Sequence, residues 1–140
     1  MSNDITFSII KPDALGSSKA GNIISRIDKA GFRIIALKMV HMTRPQAESF
    51  YEVHRERPFF PGLVEFMSSG PALVMVLRHH DAVEEFRRLI GTTDPAKADP
   101  GTIRAEFGTD VRMNAVHGSD SPENAHREAS FFFPAIEIFG

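Results

Sequence analysis

Six histidines stand in the chain, and one of them, His117, lies among residues that leave a ring accessible: Asn114, Gly118, Ser119, Asp120 and Ser121 are all small and polar. A neutral imidazole keeps one nitrogen lone pair free at physiological pH, attacks phosphoryl groups, and forms a bond labile enough to pass the group on. Glu128 follows about two helical turns later and can fold back to orient the ring. Spacing alone also reads the 114–121 stretch as a polar turn ahead of a helix, and it does not decide between the two. His41, His79 and His80 fall at strand ends and His54 on a helix, where surface or structural roles suffice. No histidine forms HExxH or lies in a zinc-like spacing with carboxylates.

Cationic residues complete a phosphate-directed set. Glu84 and Arg88 form a favourably oriented i,i+4 pair, whereas Arg87, a helical step of about 100° away, has no such explanation. Lys11, Thr93 and Arg104 can converge with Arg87 as donors aimed at a transferring phosphoryl group. Gly16 and Gly21 have the glycine spacing of a Walker-type loop, but Asn22 stands where that loop needs lysine, so both glycines are assigned to turn and helix-start duty.

The elements that must position these groups follow from periodicity. Residues 5–10 alternate apolar side chains with Thr6 and Ser8 and stop at Pro12, predicting a strand followed by a loop. Ile23, Ile24, Ile27 and Ala30 share a helical stripe over 19–30, with Gly31 at the left-handed cap position. A strand is expected over 33–41. Thr43 and Gln46 form a capping box for a helix that carries Ala47, Phe50, Tyr51 and His54. A short helix over 60–69 stops at Gly70-Pro71, and the apolar run 72–77 reads as a strand buried on both faces. Asp81 is the expected cap of a helix through Val83, Phe86 and Ile90, ended by Gly91. Residues 91–102 show no periodicity and predict a functional loop. Ala115-Val116 is a short last strand, and Ser121-Pro122 starts a final helix. This order points to an α/β sandwich with a ferredoxin-like (split βαβ) antiparallel four-stranded sheet and surrounding helices.

With 140 residues and 42% apolar content, the chain is expected to form one domain over 1–140. A net charge of -2 provides no basic field for generic nucleic-acid binding. The absence of cysteine excludes disulfides, thiolate zinc and thiol catalysis. No apolar signal core follows Met1 and no run of about 20 apolar residues occurs, so a cytoplasmic protein is expected.

Five blocks resemble the nucleoside diphosphate kinase family and occur in its order. They are Lys11-Pro12-Asp13-Ala14, Arg57-Pro58-Phe59-Phe60, Ser69-Gly70-Pro71, Pro100-Gly101-Thr102-Ile103-Arg104 and Asn114-Ala115-Val116-His117-Gly118-Ser119-Asp120-Ser121. The resemblance runs from about Thr6 to Phe133. It implies a two-step exchange in which His117, through Nδ1, takes the γ-phosphoryl of a nucleoside triphosphate, mainly ATP, and returns it to a different diphosphate. It further implies that Lys11, Arg87, Thr93 and Arg104 hold the phosphates, that Tyr51 and Glu128 support His117, and that Asn114 contacts the sugar. Ser119 belongs to the implied catalytic set and Gly118 to the nucleotide site. Phe59 would stack on the base beside Leu63 and Val111, an arrangement nearly blind to base identity. From the residues alone, Phe59 beside Phe60 reads equally as core.

Mg²⁺ would ride on the nucleotide phosphates. The family also implies assembly into homo-tetramers or homo-hexamers. The end at Gly140, short of the longer tail of many hexameric relatives, leaves that choice open. Two departures stand out: Ser17-Ser18-Lys19 replaces an Arg-Gly-hydrophobic run, and Asp94 replaces asparagine, adding negative charge where anions are expected. Two other readings are a non-catalytic nucleotide or nucleic-acid binding module and a protein-directed phosphocarrier. A binding module has no need of a nucleophile, and Phe59 with the cationic set favours free nucleotides over a protein partner.

Overall fold

A four-stranded antiparallel sheet carries the structure: β1 (Ile5–Ile10), β2 (Arg33–Val40), β3 (Ala72–Arg78) and β4 (Val116–Gly118), in the order β2-β3-β1-β4. This is the ferredoxin-like arrangement expected from the sequence, seen in a computed structural model that describes residues 2–140. Among the described residues seven α-helices surround the sheet: α1 (Pro12–Gly16), α2 (Ala20–Lys29), α3 (Arg44–Phe50), α4 (Phe60–Met67), α5 (Ala82–Ile90), α6 (Ile103–Phe107) and α7 (Pro122–Phe132). No helix among the described residues is long and apolar enough to cross a membrane.

Because side chains alternate across a strand, β1 feeds two cores. Ile5, Phe7 and Ile9 pack with α3, α4 and α7 against Val74 and Val76. Ile10 joins Met75, Leu77 and Val116 beneath Ile23 and Ile27 of α2 and Phe86 and Ile90 of α5. Thr6 and Ser8 alternate with the apolar side chains, yet both are fully buried, because the second helix layer covers their face too. β3 is buried along nearly its whole length, as its unbroken apolar run predicts.

Local signals set several boundaries. Thr43 and Gln46 exchange both bonds of the capping box, Ser121 accepts from the Asn124 amide, and Gly31 adopts φ +90 after α2. Gly16 ends α1 and Gly21 lies in the first turn of α2, the structural duty assigned to them.

Other expectations are corrected. Pro12 starts a helix rather than a loop, since its missing N–H costs nothing in a first turn. The helix capped by Thr43 ends at Phe50, and His54 lies on a separate 3-10 turn (Glu52–His54). The 91–102 loop contains a 3-10 turn (Pro95–Lys97), and α6 follows it, begun by Thr102 as cap. Asp81 precedes α5 in a left-handed conformation (φ +47) and makes no side-chain cap bond. Arg88 pairs with Glu85 at 2.5 Å rather than with Glu84, which accepts from Asn3. The last strand runs Val116–Gly118, so His117 lies within it rather than beyond it.

Gly91 links α5 to the loop that carries Thr93; it holds φ +88, and a Cβ there would lie 2.6 Å from Thr102 Oγ1. Gly91→Ala is expected to destabilise the fold by more than about 1 kcal/mol, read as a lowered urea midpoint with an unchanged m-value.

Candidate active site

β4 pairs antiparallel with β1 and brings His117 opposite Ile9, so the imidazole shares the face of Phe7. Its ring meets Phe7, Phe50 and Tyr51 edge-on, with centroids at 6.0, 5.6 and 6.3 Å. These contacts leave the side chain 18% accessible at the wall of a cleft of about 1080 Å³.

Behind the ring lies Glu128, buried on α7, with Oε1 2.9 Å from His117 Nε2. The same oxygen accepts from Ser119 Oγ at 2.8 Å, and Ser119 in turn accepts from the Phe7 amide at 3.1 Å. A carboxylate can only accept, so the imidazole proton resides on Nε2 and the Nδ1 lone pair is left for chemistry. The Tyr51 hydroxyl is buried without a partner. Burial, reinforced by Glu128, pushes its pKa far above the ordinary phenol range, so it stays a neutral donor.

Positive charge gathers at the same cleft. Lys11, buried at the end of β1, donates from Nζ to Asn114 Oδ1 at 2.8 Å and to the Arg112 carbonyl at 3.1 Å, leaving one ammonium proton over. Desolvation, with repulsion from Arg104, lowers its pKa to about 8 despite Asp13 and Asp110. Arg104 leaves α6 to donate to the Gly91 carbonyl at 3.0 Å and the Val116 carbonyl at 2.9 Å. Burial, then Arg87, lowers its pKa to about 10. Among the described residues no carboxylate pairs with Arg87, which lines the cleft with Thr93. Asn114 is buried, and its amide donates to the Thr93 carbonyl at 2.9 Å while its oxygen accepts from Lys11. Gly118 backs onto α5, where a Cβ would meet Ile90 and Phe86 at 3.0 and 3.1 Å.

The outer end of the cleft is apolar. Phe59 is 45% exposed at the start of α4, whereas its neighbour Phe60 is core. Leu63 lies on the same side and Val111 on the loop opposite. The structure therefore brings together all the residues expected at the site. Asp94 turns its carboxylate to the Ala96 amide at 3.0 Å and is not among the cleft-lining residues.

Sequence reasoning missed four contributors. His54, assigned to a helix surface, packs against Phe59 with centroids 5.3 Å apart in the cleft wall. Phe7 and Phe50 cage His117, but their spacing is indistinguishable from core spacing. The Arg112 carbonyl that receives Lys11 has no sequence signal at all.

The nucleoside diphosphate kinase family model matches residues 4–138. A nucleoside diphosphate kinase from Thiobacillus denitrificans is 53% identical over 134 residues, covering 96% of this chain and 94% of that protein. One from Wolbachia sp. subsp. Brugia malayi is 54% identical over 138 residues, covering 99% of each. Among solved structures, the Aquifex aeolicus nucleoside diphosphate kinase superposes with a TM-score of 0.94 at 50% identity, covering 96% of this chain and 98% of that one. The Halobacterium salinarum nucleoside diphosphate kinase, solved in complex with CDP, superposes with a TM-score of 0.94 at 35% identity, covering 99% and 93%.

The lowered lysine pKa gives a pH dependence. Lys11 is charged in the folded protein below about pH 8 and neutral above it, whereas in the unfolded chain it keeps its proton to about 10.5. Its cost to folding is therefore greatest below 8 and fades as pH rises to 10.5. Pyrophosphate affinity measured by calorimetry should weaken as pH rises through about 8, and this step should vanish in Lys11→Gln.

Proposed function

Because the chain belongs to the nucleoside diphosphate kinase family, and so catalyses phosphoryl transfer between nucleotides, we propose that His117 is the group that carries the phosphoryl. One observation carries this reading: Glu128 fixes the Nε2–H, so the Nδ1 lone pair is free in a cleft that also gathers Lys11, Arg87 and Arg104.

In the first half-reaction Nδ1 attacks the γ-phosphorus of a nucleoside triphosphate, mainly ATP. An Nδ1–P bond forms, the bond from phosphorus to the β,γ-bridging oxygen breaks, and the diphosphate leaves with the electron pair. The phosphorylated ring, bonded at Nδ1 and protonated at Nε2, is cationic, and the buried Glu128 carboxylate faces that charge. In the second half-reaction a β-phosphate oxygen of another diphosphate attacks the same phosphorus, and the Nδ1–P pair returns to the ring. Lys11, with one donor still unused, Arg87, Thr93 and Arg104 hold the phosphate oxygens where negative charge develops, and Tyr51 supports the His117 ring it meets edge-on. Asn114 holds Lys11 and reaches the sugar, and Ser119 holds Glu128. Phe59, Leu63 and Val111 receive the base and Gly118 lines the phosphate end.

Mg²⁺ enters as part of the nucleotide substrate. Among the described residues no group of three His, Cys, Asp or Glu side chains is arranged as an ion cage, and the cationic cleft favours an ion coordinated by phosphate oxygens and water. The reading includes a single domain over 1–140, a cytoplasmic location and a homo-oligomer, tetramer or hexamer. On the edge strand β2, where the Phe139 amide already takes the Ile35 carbonyl, Leu37 and Met39 remain exposed, which supports assembly through self-association. A non-catalytic nucleotide or nucleic-acid binding module, the alternative weighed from the sequence, is not favoured by the family.

Incubation with γ-labelled ATP and magnesium should leave an acid-labile, alkali-stable label that GDP or CDP chases off. His117→Ala should take no label while still binding ADP; turnover in that variant would defeat the assignment. Phe59→Ala should weaken nucleotide binding by about 1–3 kcal/mol through loss of base stacking, measured by calorimetry, with a smaller effect on the transfer rate.

A further inference from the structure

Between Asn114 and His117 the chain does something costly. Ala115 holds φ +76, a conformation that L side chains rarely adopt. The Val116 amide donates to the Asn114 carbonyl at 2.9 Å, closing a three-residue turn of a rare and strained kind. The reversal has a direct consequence for the site. It lets Asn114 turn inward to receive Lys11, while the next residues run straight into β4 with His117 opposite Ile9.

Two groups from one short segment clasp this peptide. The Lys11 amide donates to the Ala115 carbonyl at 2.9 Å, and the Asp13 carboxylate accepts from the Ala115 amide at 3.1 Å. Resting on the reading of His117 given above, we propose that Asp13 is a positioning residue for phosphoryl transfer. By accepting the Ala115 N–H it locks the strained turn that aims Asn114 at Lys11 and His117 at the cleft.

Asp13 also faces Lys11 and the amides of its own first turn, but its side-chain hydrogen bond is made to the Ala115 amide. The residue sits in the first turn of a helix of five residues, too short for a sizeable end charge, and that amide is 102 residues away. Its second oxygen, Oδ1, is buried without a partner. Desolvation raises its pKa above the ordinary aspartate value, against the opposing pull of the Ala115 amide and Lys11. An acceptor oxygen buried at such cost is explained by the peptide it restrains, because a backbone forced into an unfavourable conformation persists only where surrounding bonds over-determine it. Reactive groups tolerate little misplacement, since about 1 Å can cost 10²-fold in rate. The predicted loss therefore falls more heavily on the transfer step than on nucleotide affinity, to which Lys11 and Asn114 also contribute.

The test compares wild-type protein, Asp13→Ala and Asp13→Asn in rapid-quench single-turnover labelling from γ-labelled ATP and magnesium, with ADP affinity by calorimetry. Asp13→Ala should slow label transfer by at least about tenfold while ADP affinity changes by less than about threefold. Asp13→Asn, whose amide oxygen can still accept the Ala115 N–H, should keep at least about half the wild-type rate. A wild-type rate in Asp13→Ala, an Asn variant as slow as the Ala variant, or a loss of ADP affinity matching the loss of rate would overturn the proposal. Should Asp13→Ala not fold, the wild-type Ala115 amide resonance decides. It should shift with pH at a midpoint above the ordinary aspartate range, and a resonance that ignores pH there refutes the contact. Wild-type protein that takes no label would instead overturn the phosphohistidine reading beneath the inference, a distinct result from normal labelling in every Asp13 variant.

Discussion

One oxygen atom organises the reactive centre. Oε1 of Glu128 receives both the His117 ring and the Ser119 hydroxyl, and a buried carboxylate is tolerable only when such donors satisfy it. Its place depends on the packing of α7 against β1, through Ala129 in the core that Phe7 enters. Ser119 joins the two elements by its bond from the Phe7 amide. The rotational setting of the imidazole, and therefore which nitrogen is free, is thus fixed by helix-on-sheet packing rather than by anything local to the histidine.

A second constraint opposes the first. Lys11, Arg87 and Arg104 are like charges drawn together, and burial of two of them adds desolvation to repulsion, which is why both Lys11 and Arg104 hold their protons less tightly than usual. Neutral acceptors hold this cluster open: the Asn114 oxygen and the Arg112, Gly91 and Val116 carbonyls. Neutral acceptors orient cations without cancelling their charge, so the cleft retains its pull on an incoming polyphosphate. Sites arranged for reaction are commonly unfavourable for folding in this way, and bound anion offsets the cost.

Much of this architecture was legible from side-chain order. The period of 5–10, the apolar run of 72–77, the capping box at Thr43 and the glycines at 31 and 91 each state a local rule that the fold obeys. Failures cluster where two rules fit one string. Asp81 has the side chain of a cap but the backbone of a left-handed turn, and its oxygen is spent on Asn3. Glu84 likewise goes to Asn3, leaving Arg88 to Glu85, since long exposed side chains choose among neighbours at similar cost. Phe59 and Phe60 are identical in chemistry, and only the packing of Phe60 into the core with Val64 and Met67 buries one and leaves the other exposed.

The sequence by itself determined the strands, the helices other than α1 and α6, the ferredoxin-like order, the chemical kinds present and, through five motif blocks, the family. Periodicity and caps act over a few residues, and motif blocks are read directly from the string. Tertiary structure alone decided what leaves Nδ1 of His117 free, namely Glu128 on Nε2, and that the Ala115 peptide is clasped from Lys11 and Asp13. Each of these depends on atoms meeting within a few ångströms across as many as 104 residues of chain, from Lys11 to Ala115. Distances of that kind are set by how the sheet faces are filled, and no local pattern encodes them.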